Sequence, residues 1–146
     1  MGFIDCLKLG AYYEDEIVKY YVNKGYTHIK DGNYKNKCLE YDLIFSKDDI
    51  ETKIEVKSDR MAKKTGNIYI EYECNKKLSG ISTSKSDIYV YYIINDDKDY
   101  NAYIIPTIEL KKMIEHKKYL RKVKGGDKWL SRGYLFKLSN LSKYKV

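Results

Sequence analysis

Seven consecutive residues, Ile88-Tyr89-Val90-Tyr91-Tyr92-Ile93-Ile94, are β-branched or aromatic with no polar interruption. A strand of this kind is buried on both faces. The rest of the chain must then supply a covering layer on each side. This predicts an α/β domain in which a mixed central sheet is flanked by helices. A length of 146 residues suits one domain, residues 1–146, with a sizeable core.

The covering elements can be read from spacing. Tyr13, Ile17, Tyr20 and Tyr21 recur at three- and four-residue intervals and predict a helix from about Leu9 to Lys24, stopped by Gly25. Tyr26 to Ile29 reads as a short strand and Asp31-Gly32-Asn33 as a turn. Ile68 to Glu73 alternates as a strand, with Ile68, Ile70 and Tyr72 on one face and Tyr69, Glu71 and Glu73 on the other. Tyr100 to Ile105 reads as a further strand closed by Pro106. Thr107 is placed to cap a helix running to about Lys122 that carries a basic stripe. Gly133 to Leu138 reads as the last strand.

The chemistry gathers on two neighbouring runs. Leu39 to Phe45 and Glu51 to Lys57 are strand-like and are joined by the turn-rich link Ser46-Lys47-Asp48-Asp49-Ile50, which predicts a hairpin. In Ile54-Glu55-Val56-Lys57 the period of two sends Ile54 and Val56 to a core and Glu55 and Lys57 together to the other face. Asp42 lies on the partner strand. An acid facing an acid and a lysine two residues apart suits a metal-dependent phosphodiesterase. The same residues could also form a cross-strand salt bridge on a surface hairpin.

Asp42 with Glu55-Val56-Lys57 resembles the motif of the PD-(D/E)XK nuclease superfamily, the restriction-endonuclease-like fold, although Tyr41 stands where the motif has proline. Gly25-Tyr26, preceded by Glu14 at eleven residues, is similar to the first-helix acid and Gly-aromatic pair of archaeal Holliday-junction resolvases. Ser79-Gly80-Ile81 and Gly125-Gly126-Asp127 with Gly133-Tyr134-Leu135 look like small phage and viral proteins with this core. The resemblance implies that Asp42, Glu55, the Val56 carbonyl and Glu14 hold Mg²⁺, for which Mn²⁺ could substitute, and that Lys57 orients the attacking water and stabilises charge developing on phosphorus. It implies Glu71, more weakly, as a further acid of the site. The basic segment Ser58 to Asn67, with Arg60, Lys63 and Lys64, reads as a mobile loop beside the scissile phosphate. Lys85, in the hydroxyl-rich stretch Leu78 to Asp87, is a further phosphate contact or part of simple turn and cap chemistry.

A formal charge of +7 favours a polyanionic partner, DNA first, while lysine-rich codon usage offers a blander source for the charge. No apolar run has the length of a membrane span, and the N-terminus lacks a secretory or myristoylation pattern. Cys6, Cys38 and Cys74 are odd in number and widely spaced, which points away from a disulfide framework and towards an intracellular setting. His28 and His116 lack neighbouring ligands at metal spacing. The expectation is a Mg²⁺-dependent DNA endonuclease, selective for branched structures as resolvases are, working in recombination or repair as a homodimer. The alternatives are a sequence-specific restriction or homing-type endonuclease and a non-catalytic nucleic-acid-binding module.

Overall fold

The computed structural model describes residues 3–29, 41–96 and 99–146. The turn expected at Asp31-Gly32-Asn33, the start of the first hairpin strand and Cys38 lie outside these residues.

The first element, α1 (Phe3–Asn23), starts earlier than its apolar stripe suggests. Its end follows the glycine rule. Gly25 takes φ +91°, its N–H donates to Val22 O, and Tyr26 N–H donates to Tyr21 O, each at 3.0 Å. These bonds satisfy the last carbonyls and turn the chain into β1 (Thr27–His28). The hairpin of β2 (Leu43–Lys47) and β3 (Ile50–Asp59) follows. Asp48 and Asp49 both have positive φ, the geometry of a two-residue turn whose twist matches that of the strands.

Ser58 to Asn67 is not a loop. β3 runs on to Asp59, whose Oδ1 accepts the N–H groups of Met61 and Ala62 at 2.7 and 2.9 Å and starts a short helix, α2 (Ala62–Thr65). Next come β4 (Asn67–Cys74), β5 (Lys77–Leu78) and a 3₁₀ turn, Gly80–Ser82. The apolar run forms β6 (Ile88–Asp96), which returns through β7 (Asp99–Pro106) into α3 (Thr107–Glu115).

That last helix is shorter than expected. His116 ends it, Lys117 has φ +54°, and Arg121 to Gly125 form a strand, β8, paired with β9 (Ser131–Lys137). The lysine-rich segment after Glu115 offers too few apolar positions at helical spacing to hold a helix against the core, whereas strand pairing satisfies its backbone. The basic stripe is therefore split, and only Lys111 and Lys112 remain on α3. Thr107 is the first helical residue, not the cap. Its hydroxyl lies 3.2 Å from that of Ser86.

Two sheets result. One has the order β1-β2-β3-β6-β7, with β3 and β6 parallel and the other pairs antiparallel. The other, β5-β4-β9-β8, is antiparallel throughout. β6 lies inside the first sheet and is buried on both faces as its composition demands. Val90 and Tyr92 pack with Ile54, Phe45 and the α1 stripe Tyr13, Ile17 and Tyr21. Tyr89, Tyr91 and Ile93 pack with Ile68, Ile70 and Phe136 of the second sheet and Leu110 of α3. Each wholly buried aliphatic side chain in these cores, such as Ile54 or Leu110, contributes about 1.5–3 kcal/mol. This is an α/β fold with mixed central β-structure flanked by helices, broadly that of the PD-(D/E)XK superfamily. Among the described residues, no helix is long and apolar enough to cross a membrane.

Candidate active site

The site is built where β2 begins and β3 continues beyond it. Asp42 N–H donates to Ile54 O at 2.9 Å, although Ile54 stands opposite Leu43 in the ladder, so the chain enters β2 one residue out of register. Two residues further along β3, Val56 N–H donates at 2.8 Å to Oδ2 of the Asp42 carboxylate. The N–H and C=O of a strand residue point to the same edge, so the Val56 carbonyl projects towards the same side as the exposed Asp42 carboxylate. On the other edge, β3 is held by β6, with Glu55 beside Tyr89 and Lys57 beside Tyr91.

Glu55 and Lys57 share the face that Ile54 and Val56 avoid. Lys57 Nζ lies 3.1 Å from Glu55 Oε1. The Glu55 side chain is only 16% exposed, against 47% for Lys57. Burial raises the Glu55 pKa. Lys57 acts against that rise and the Asp42 charge adds to it. Asp42 is thus close enough to Glu55 for their charges to interact, and the three expected residues are brought together.

Glu71 reaches the same region from β4, where it stands opposite Gly133 of β9. A cavity of about 250 Å³ has both Lys57 and Glu71 in its wall. Ser79 Oγ donates to Glu71 Oε2 at 2.9 Å and Ser131 Oγ donates to Oε1 at 2.7 Å. Ser131 Oγ is also hydrogen-bonded to the Tyr69 hydroxyl. Sequence reasoning missed Ser79, Ser131 and Tyr69 as residues of this region. Serine carries no local signal, and these meet only when β9 pairs with β4.

The other expected residues stand further out. Glu14 is half-buried on α1, whose apolar stripe packs the opposite face of the sheet from Glu55 and Lys57. Arg60 and Lys64 are exposed at α2. Lys63 is exposed as well, and its Nζ donates to Asn95 O at the end of β6. Lys85 is exposed. Ser84 and Ser86 are buried and bonded to each other at 2.8 Å, and Ser86 continues to Thr107.

Among the described residues no group of three or more His, Cys, Asp or Glu is placed to hold a metal ion. The donor set at β3 is two carboxylates and a main-chain carbonyl, all hard oxygen. That suits Mg²⁺, which binds through one or two carboxylates and keeps several waters.

No protein-family profile matches the chain. A UPF0102 protein of Clostridium perfringens strain 13 is 34% identical over 112 residues, covering 76% of this chain and 85% of the relative. A UPF0102 protein from a second strain of that species matches with the same identity and coverage. No solved structure matches.

Proposed function

The chain belongs to the UPF0102 family, and from the chemistry of its own residues we propose that it is a Mg²⁺-dependent DNA endonuclease. The observation that carries this reading is the placement of the Asp42 carboxylate on the Val56 N–H, beside the Glu55–Lys57 pair.

Asp42, Glu55 and the Val56 carbonyl would hold the ion; Glu14, which the superfamily resemblance also implies, stands on α1 against the other face of the sheet. When bound, Mg²⁺ polarises the phosphoryl oxygen and acidifies water. The Val56 N–H fixes Oδ2 of Asp42 and so sets the orientation of the whole carboxylate. Lys57, whose Nζ lies 3.1 Å from Glu55 Oε1, donates to the oxygens on which negative charge develops. A preorganised donor of this kind is worth about 3–4 kcal/mol. Exposed Arg60 and Lys64, just past the end of β3, supply contacts to neighbouring phosphates. The +7 formal charge draws the protein to a polyanion. The substrate we favour is branched DNA, resolved by a homodimer because two strands must be cut.

The test is cleavage of supercoiled plasmid and of a synthetic four-way junction with Mg²⁺, Mn²⁺ or EDTA, run beside Asp42→Asn and Lys57→Ala. Metal-dependent cutting that both substitutions abolish supports the site, and preference for the junction supports branched DNA. If nothing is cut while all three proteins bind DNA equally, the nuclease reading fails and a binding module takes its place.

A further inference from the structure

The cavity shared by Lys57 and Glu71 has a construction that phosphodiester cleavage alone does not need. Its aromatic wall is Tyr69, Tyr89 and Tyr91, and its other acid is Asp59. Glu71 is held at both oxygens, by Ser79 and Ser131, and the Tyr69 hydroxyl braces Ser131. Two glycines make this possible. A Cβ on Gly133 would lie 2.5 Å from the Tyr69 ring, and a Cβ on Gly80 would lie 2.2 Å from Glu71 O. The chain thus keeps one carboxylate fixed in a tyrosine-walled cavity next to the lysine of the candidate site.

The chemistry of the lining defines the occupant. At about 250 Å³ the cavity falls below the roughly 300–1,000 Å³ of drug-sized pockets and suits a single nucleoside. Aromatic walls suit a planar ring. The carboxylates of Glu71 and Asp59 call for hydrogen-bond donors, and Lys57 is the cation of the lining that can take a phosphate. Each Glu71 oxygen accepts one serine hydroxyl and retains capacity for a second donor, since a carboxylate offers about four acceptor sites. Two adjacent N–H donors on one ring edge match such a carboxylate. Guanine presents that pair on its Watson–Crick edge. Thymine and uracil present one donor flanked by two carbonyls.

We propose that this cavity receives one unpaired nucleotide, guanine foremost, with its base edge on Glu71 and its phosphate at Lys57. The inference rests on the nuclease reading for the source of that nucleotide, a base taken out of its stack beside the cut. Glu71 is a specificity residue here and does not touch the reacting atoms.

The experiment measures equilibrium binding of GMP, AMP, CMP and UMP to the Asp42→Asn protein, whose substitution lies outside the cavity. GMP should bind about tenfold more tightly than UMP, at the low end of what a bidentate base contact delivers. Glu71→Gln, added to that protein, should bring the two within about twofold while the melting temperature stays close to the parent. Ser79→Ala, which frees one Glu71 oxygen, should reduce the preference in part and serves as the test if Glu71→Gln fails to fold. Equal affinity for the four nucleotides, no binding of GMP at millimolar concentration, or a preference that survives loss of Glu71 overturns the proposal. Plasmid cleavage by the unmodified protein reports separately on the nuclease reading. Nucleotide discrimination without cutting would leave the pocket standing alone, and cutting without discrimination would remove the pocket and keep the nuclease.

Discussion

Val56 and Asp42 are joined by a 2.8 Å hydrogen bond in which a side-chain carboxylate occupies the place a strand carbonyl would take. The bond does two jobs. It satisfies the Val56 N–H beyond the first residue of β2, and it fixes a carboxylate oxygen beside the Val56 carbonyl. The two jobs separate by substitution. Asn retains an acceptor oxygen, so Asp42→Asn should melt within about 2 °C of the parent, yet lose Mg²⁺ affinity by titration calorimetry and about a hundredfold or more in cleavage rate. Asp42→Ala also strands the Val56 N–H and should cost about 1 kcal/mol, roughly 2–4 °C in a chain of this size.

Lys57 tests electrostatics without stability. It is nearly half-exposed, so its ion pair with Glu55 adds little to folding. Lys57→Ala should leave the melting temperature nearly unchanged and lower the cleavage rate about 10²–10³-fold. Lys57 also holds the Glu55 pKa down against burial. Its removal should move the acidic limb of the residual pH–rate profile to higher pH, measured from pH 4 to 9.

Glu55 itself should show a stability opposed to function. Its pKa is raised in the folded protein, chiefly by burial. A group with a raised folded pKa contributes its stability below its unfolded pKa and loses that contribution as pH rises through the folded value. Ionised Glu55 is therefore a cost near neutrality. Glu55→Gln should melt higher than the parent at pH 7.5, and the difference should vanish towards pH 4. A difference that grows on acidification would contradict the burial assignment.

Much of this site was legible because strand geometry is local. The alternation Ile54-Glu55-Val56-Lys57 forces acid and lysine onto one face, and the unbroken run in β6 forces a layer on each side. Gly25 announced the end of α1, and the turn residues after Phe45 announced the hairpin. The second sheet was not legible. β4 and β9 are far apart in sequence, and neither states its partner. The segment after Glu115 misled because lysine is a good helix former by propensity, whereas tertiary pairing with β9 made it strand. The brace around Glu71 was hidden for the same reason. Ser131 stands opposite Cys74 in the β4–β9 ladder and Ser79 follows a short hairpin, so their meeting at Glu71 is a product of the fold.

Gly80 ties that brace to folding. It has φ +53°, where a side chain is strained, and its Cβ would sit 2.2 Å from the backbone oxygen of Glu71, a residue that β4 holds opposite Gly133 of β9. Both penalties act together in Gly80→Ala, and a loss of about 2–4 kcal/mol is expected. For a chain of this length that is a drop of roughly 5–15 °C in melting temperature by calorimetry. Gly10 is the control, since a Cβ there meets nothing within 4 Å and α1 is helical. Gly10→Ala should hold or raise stability by about 0.5–1 kcal/mol, because glycine inside a helix is the costlier residue. If both substitutions behave alike, the close approach of Gly80 to Glu71 does not hold in solution, and the fixed carboxylate loses its structural basis.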